Sequence, residues 1–407
     1  MIQDTAPAEA ASSEDAPIDA PDEVPRQPVV LQVLPSLVTG GVERGTVEVA
    51  QALVEAGWKA VVASSGGPMV REIVRVGGEH VTLPLASKNP LVMRANVARL
   101  EALIRAHGID IVHARSRAPA WSAHAAALRT GAHFVTTFHG TYNRGWFGLK
   151  ALYNAVMTKG ERVIAISNFI AEHAERVYGL DPNRIRVVPR GVDLSRFDPR
   201  RVSQERIIAL AQKWRLPDGF RVVMLPGRLT RWKGQAVLIE ALALLDRHDL
   251  RCLLVGSDQG RTAYRSELTE LIRSRGLTDV VHIVDECSDM PAAYMLTDVV
   301  VSASTDPEAF GRVVVEAQAM GRPVIASDHG APRETILPGR TGWLTAPGEP
   351  RALADALARF LELDATDRAE MAELAQSFVR ENYSRERICE STLAVYREVL
   401  DGEPEPQ

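Results

Sequence analysis

Several signatures are missing from this chain of 407 residues. Apolar runs such as the one in Asp298-Val-Val-Val-Ser-Ala-Ser304 fall far short of the ~18–20 residues needed to cross a bilayer. A membrane-spanning helix is therefore excluded; a protein lying on a membrane surface is not. Only three cysteines occur, Cys252, Cys287 and Cys389, far apart and without a C-x-x-C. Neither a structural zinc site nor a disulfide framework is expected, and a reducing, cytoplasmic location fits best. Cys252 and Cys287 sit in or beside strand-like segments and read as small core residues. There is no G-x-G-x-x-G, and no glycine loop ends in Gly-Lys-Ser/Thr, so the dinucleotide fingerprint and the P-loop are both absent. No Asp-x-Asp occurs either. What is present is ordinary globular material, 46% apolar and 24% charged. At about 100–200 residues per domain the length suggests two domains.

The net charge of -5 hides an asymmetry. Residues 1–28 carry 7 acidic residues against Arg26 alone and are rich in Ala, Pro and Ser. Such a segment cannot bury enough apolar surface to offset its ordering entropy, and it has neither the basic start nor the apolar core of a secretory signal. It reads as a disordered acidic tail. Residues 29–195 hold 19 Lys/Arg and 12 Asp/Glu, whereas 196–407 hold 27 and 33. A basic first half suits an anionic partner, although a few surface charges can move such sums. Nothing resembles a nucleic-acid module.

From Val29 onward, short apolar strands alternate with amphipathic helices. Strands are expected at Val29–Leu34, Lys59–Ser64, Val81–Leu85, Ile111–Ala114, Phe134–Phe138 and Val163–Ile166. The pattern pauses around Pro189-Arg-Gly-Val-Asp193 and restarts at Arg221–Leu225, Cys252–Val255, Val280–Val284, Val299–Ser302 and Pro323–Ala326. The last segments are helical, ending with Arg385–Leu400. This is an α/β chain with two doubly wound parallel sheets, at 29–195 and 196–380, and a terminal helical piece at 381–407. Two such domains make a cleft, and ligands of open α/β sheets sit beyond the carboxyl ends of the strands.

Four strand-end loops carry candidate chemistry. The first holds Gly40-Gly41, where backbone N–H groups can approach a phosphate at a helix start; a plain tight turn is the alternative. The second is Gly227-Arg228-Leu-Thr-Arg231-Trp-Lys233-Gly234, whose cations suit a diphosphate, or else form a solvated basic loop. The third runs from Ser304 through Glu308-Ala309-Phe310-Gly311 to Glu316. If that stretch is helical, the two carboxylates lie roughly 12 Å apart, about the span from a transferred sugar to a ribose. Glu316 stands in an apolar stretch and needs a partner, either a ribose diol or a structural Arg or Lys. The fourth ends in His139-Gly140; such a histidine faces the cleft, though a lone histidine is more often structural. His113, Arg115 and Arg117 at the preceding strand end are weaker candidates for an acceptor.

Together and in order, these motifs resemble the retaining glycosyltransferases of family 4, which have the GT-B fold. The likeness spans about residues 29–400 and rests on Gly40-Gly41, His139, Pro189-Arg-Gly-Val-Asp193, Gly227-Arg228, Lys233-Gly234 and the E-x7-E pair Glu308 and Glu316. The resemblance implies two Rossmann-like domains facing across a cleft, with the C-terminal helix crossing back to the first. It implies that Arg228 and Lys233 hold the diphosphate of a nucleotide sugar and stabilise the leaving group, with Gly227 in the same loop. Glu308 would contact the sugar and Glu316 the ribose. Ala309, Phe310 and Gly311 would line the donor, with backbone donors from Phe310 and Gly311. Gly41 would approach the diphosphate and His139 the sugar and acceptor. Basic residues and helix starts would take the place of a metal, so no metal or other cofactor is expected. One departure stands out: the hinge motif often carries Asn where this chain has Arg190.

The expected acceptor is a surface-glycan precursor: lipopolysaccharide, lipid-linked or exopolysaccharide. Trp146, Leu149, Tyr153, Val156 and Met157 have helical spacing beside Arg144, Lys150 and Lys159, and the stretch from Lys88 to His107 adds Arg94, Arg99 and Arg105. Basic amphipathic surface suits an anionic membrane, unless the apolar residues face the core. The rival functions are a nucleotide-sugar epimerase on the same architecture and a non-catalytic two-lobed sugar-binding protein.

Overall fold

A computed structural model describes residues 26–38, 40–142 and 149–402. The first parallel sheet contains β1 (Val29–Val33), β2 (Lys59–Ser64), β3 (Glu79–Thr82), β4 (Ile111–Ala114), β5 (His133–Phe138), β6 (Arg162–Ala165) and β7 (Ile185–Val187). Their order is β3-β2-β1-β4-β5-β6-β7, with Val30 paired to Ala60 on one side and Ile111 on the other. The second comprises β8 (Arg221–Pro226), β9 (Leu250–Val255), β10 (Val281–Val284), β11 (Val299–Ser302), β12 (Val324–Ser327) and β13 (Gly342–Thr345), in the order β10-β9-β8-β11-β12-β13. The sequence Val-Val-Leu-Gln-Val of β1 is buried at every position because helices cover both faces of the sheet. The strand order reverses between β1 and β4 and again between β8 and β11. Those two switch points open crevices at the carboxyl ends of the strands. This is the expected GT-B architecture.

The terminal helix does cross back. Arg385–Asp401 lies against the first sheet's Gly41–Glu55 helix and contributes Leu393, Val395, Tyr396 and Val399 to that lobe's core. At about 1.5–3 kcal/mol per buried aliphatic side chain, its leucine and two valines supply on the order of 5–9 kcal/mol before ordering entropy. Polar contacts fix the register. The Tyr396 hydroxyl pairs with His113 Nδ1 at 2.6 Å, and Glu398 accepts from Arg162 Nε at 2.7 Å and Arg186 Nε at 2.9 Å. Where the chain crosses, Val192 N–H donates to Tyr383 O (2.8 Å) and Arg385 N–H donates to Val192 O (3.0 Å). A second contact joins the lobes: Glu334 accepts from the N–H groups of Asn168 (2.8 Å) and Phe169 (2.7 Å) at the start of the Asn168–Tyr178 helix.

Three expectations are revised here. Most of the acidic tail lies outside the described residues, but Arg26, inside the expected tail, bonds Asp110 at 3.1 Å. Val156 and Met157 face the core rather than a membrane, while Arg144 and Trp146 lie outside the described residues. The stretch from Glu308 to Glu316 is helical only from Arg312, so the estimated helical spacing of the two carboxylates does not apply.

Candidate active site

The second sheet builds its site at the β8/β11 switch point. After β8 the chain turns through Gly227-Arg228 into a short helical turn, Arg231–Lys233, closed by Gly234. Gly234 has φ +73°, and a Cβ there would sit 1.8 Å from Ala303 O, so only glycine allows the turn to press against the loop after β11. Thr305 N–H completes the junction by donating to Trp232 O at 2.7 Å. This packing delivers Lys233 Nζ to Glu308 Oε1 as a nearly buried ion pair. The Ser304 hydroxyl donates to the same oxygen at 2.6 Å, so Glu308 Oε2 is left to accept from a ligand. Lys233 keeps two further N–H donors. Arg228 is exposed, and its guanidinium has no partner among the described residues.

Gly311 (φ +76°) caps the Arg312–Ala319 helix; Val314 N–H donates to Gly311 O at 2.9 Å, and the N–H groups of Arg312 and Val313 lack backbone partners among the described residues. Phe310 is a core side chain, edge-on to Tyr383 at 5.8 Å, so only its backbone can serve a ligand. Ala309 O accepts from Ser167 Oγ of the other lobe at 2.7 Å. Glu316 is buried, and its partners are structural: Arg312 donates to Oε1 at 2.9 Å and the Tyr294 hydroxyl to Oε2 at 3.1 Å. A carboxylate accepts about four hydrogen bonds, so capacity for a diol remains. Burial, reinforced by Glu316, holds the Tyr294 phenol well above its ordinary range, which keeps it a donor.

The first sheet contributes the Gly41–Glu55 helix, whose N-cap is Gly40, and the strand ends after β4 and β5. A cavity lies among them, the hinge and the terminal helix. His139, Arg115 and Arg190 line it, with Arg312 from the second lobe. Arg190 reaches His139 Nδ1 at 3.1 Å. Because guanidinium only donates, Nδ1 accepts and the ring proton sits on Nε2, which is buried without a partner. Burial and the nearby Arg190 hold this imidazole well below its usual range, so it is neutral.

The weaker acceptor candidates separate. His113 lines the cavity, but both its ring nitrogens are taken, by Tyr396 and by Thr137 Oγ1 at 2.7 Å; its role is to pin the terminal helix. Arg117 stacks on Tyr142 at 4.4 Å and bonds Asn154, apart from the cavity wall. Arg115 remains: buried, it donates to Gln32 Oε1 at 3.0 Å while its Nε is unpartnered. Sequence reasoning missed Arg312, Tyr294 and Ser304 and gave Arg190 no role.

Residues 39–196 match the model described as Glycosyltransferase Family 4, and residues 207–378 match Glycosyl transferases group 1. A D-inositol 3-phosphate glycosyltransferase of Salinispora tropica is 31% identical over 404 residues, covering 89% of this chain and 81% of the relative. The chain belongs to glycosyltransferase family 4. Among solved structures, a glycosyltransferase from Rickettsia africae aligns with a TM-score of 0.86 and 37% identity, over 93% of this glycosyltransferase and 100% of that chain. Anabaena Alr3699/HepE, crystallised with UDP-glucose, has the same fold, with a TM-score of 0.78, 24% identity, and coverage of 91% and 99%.

Proposed function

We propose that this glycosyltransferase moves a hexose, with retention, from a nucleotide-diphosphate sugar to a hydroxyl of a surface-glycan precursor, without a metal. The observation that carries the reading is the Lys233–Glu308 pair with Glu308 Oε2 left open, at the second sheet's switch point and beside a helix start. Arg228, Lys233 and the amides of Arg312 and Val313 at the start of the Arg312–Ala319 helix would bind the diphosphate. Glu308 would take a sugar hydroxyl, and Glu316 a ribose hydroxyl beyond those of Arg312 and Tyr294. Gly41, at the first helical position, would bring its amide to the diphosphate from the other lobe, and His139 would sit against the sugar and the acceptor.

In the reaction the acceptor oxygen bonds to the anomeric carbon. The bond from that carbon to the diphosphate oxygen breaks, and its electron pair stays on the phosphate. The acceptor's proton passes to the departing diphosphate on the same face. Fixed cations aimed at that growing charge are the main source of acceleration. No described helix is long and apolar enough to cross a membrane. Exposed Leu91, Arg94 and Arg99 support peripheral contact with an anionic surface, and binding to anionic vesicles at low salt tests it.

The test of the donor site is a thermal-shift screen against a nucleotide-sugar panel in EDTA, repeated on Glu316→Ala. A ligand at ~100 times its Kd adds about 2.7 kcal/mol of apparent stability. A shift with one donor, lost in Glu316→Ala and accompanied by nucleoside diphosphate release when acceptor is added, is the expected result. No shift with any nucleotide sugar overturns it.

A further inference from the structure

The β8/β11 switch point is accounted for by the donor reading, but the first sheet has a switch point of its own, between β1 and β4, and its charges are not balanced. Arg115 follows β4 directly, and Arg190 enters the same cavity from the hinge. Both guanidinium groups press against the first turns of the Gly41–Glu55 helix, at two glycines four residues apart. A Cβ on Gly41 would lie 2.1 Å from Arg190 Nη1, and one on Gly45 would lie 3.0 Å from Arg115 Nη2. Glycine at 41 is what admits Arg190, and a side chain at 45 would crowd Arg115.

The arrangement is electrostatically unfavourable as it stands. The positive end of a helix meets two cations, Arg115 buried and Arg190 partly buried, and neither forms an ion pair with a carboxylate among the described residues. Among the described residues, the one acidic side chain in the cavity wall is Glu48, while Arg44, Arg312 and Arg385 also line it. Those three are engaged elsewhere, by Glu72, Glu316 and Asp193. Two donors are buried without partners, Arg115 Nε and His139 Nε2. Burial among like charges pushes the Arg190 guanidinium down to about 10. Unpaired buried donors and uncompensated cations are both costly, and one oxyanion satisfies them together.

We propose that Arg115, Arg190 and His139, at the amino end of the Gly41–Glu55 helix, form an oxyanion subsite for a phosphate- or carboxylate-type group. Assigning that group to the acceptor rests on the transferase reading above; the subsite itself does not. The same chemistry is offered by the diphosphate of the donor, and the test separates the two sources.

The probe is inorganic phosphate, titrated against the full chain at constant ionic strength with chloride as control, and followed by thermal shift and by 31P line width. The expected result is saturable binding that falls at least tenfold in Arg115→Met and in Arg190→Met but persists in Lys233→Met, whose cation belongs to the other sheet. If an arginine variant does not fold, Gly41→Ala, whose Cβ would lie 2.1 Å from Arg190 Nη1, displaces that guanidinium by steric contact. Phosphate binding that adds to that of UDP assigns the subsite to an anionic group of the acceptor; binding that UDP displaces assigns it to the donor diphosphate. No saturable binding by the wild type, or binding by both arginine variants undiminished from that of the wild type, overturns the proposal. Phosphate binding without any nucleotide-sugar shift would leave the subsite standing while the transferase reading fails.

Discussion

Removing Lys233 tests whether the donor site is built around a buried charge pair. The Lys233 and Glu308 side chains are 15% and 10% exposed, so Lys233→Met leaves a carboxylate buried with only the Ser304 hydroxyl on it. Breaking such a pair from one side costs about 3–5 kcal/mol. Because Ser304 and the open Oε2 soften the penalty, about 3 kcal/mol is expected. Glu308→Gln leaves an amide that Ser304 still bonds and a lysine with a route to solvent, for about 1–2 kcal/mol. The double variant Lys233→Met/Glu308→Gln buries no charge and should lie within about 1 kcal/mol of wild type, a coupling of 2 kcal/mol or more. Urea unfolding of all four proteins, followed by two probes because two lobes need not melt together, measures this. Nucleotide-sugar stabilisation should be absent in both lysine variants. A Lys233→Met protein within 1 kcal/mol of wild type, or a double variant as unstable as the two singles summed, refutes the reasoning.

Stability should depend on pH through two buried imidazoles. His113 and His139 are held well below 6.5 by burial, so the unfolded chain binds protons that the folded one does not. Their contribution is full above about pH 6.5 and is lost as pH falls, at about 1.4 kcal/mol per pH unit for each. His80, His124 and His173 shift the same way and steepen the slope. Denaturant titrations at pH 7 and 5.5 that agree within error would contradict this. Tyr396→Phe strands His113 Nδ1 and should destabilise by about 1–3 kcal/mol, most of it regained in His113→Leu/Tyr396→Phe, as read by calorimetry. Gly41→Ala should displace Arg190 and lower kcat/KM on the order of 10–100-fold with little change in Tm; unaltered steady-state kinetics would show that the close approach is immaterial.

The sheets were legible because buried parallel strands are continuous apolar runs, as in Val299–Ser302. β7 and β13 were not. They are short edge strands, and Val187 of β7 is 39% exposed, so neither presents an apolar run. The site was legible in its parts, since Lys233 and Glu308 each stand in a recognisable strand-end loop. Their pairing was not, because it depends on Gly234 fitting against Ala303 across 69 residues of chain. Arg312 reads as a solvated helix residue and Tyr294 as core, yet both hold Glu316. His113 looked like a cleft residue because its partner, Tyr396, is 283 residues away. Arg190 was visible as a departure from the family pattern, but its contact with His139 exists only in three dimensions.

The chain passes between its lobes twice, and the passages are tied to each other. Val192 is hydrogen-bonded on both sides of its peptide to the 383–385 segment, and a Cβ on Gly191 would come within 2.7 Å of Arg385 Cα. Two connections fastened side by side constrain motion more than one linker does. They oppose sliding and separation, and a swing of the lobes about their short common axis must break the Glu334 bonds to Asn168 and Phe169 and the Ser167–Ala309 bond. An enzyme between turnovers then searches essentially one angle rather than the full set of rigid-body displacements. In the proposed transferase, closing on a donor would sacrifice the entropy of that angle alone, so little of the donor's binding energy would be consumed in bringing the two faces of the cleft together.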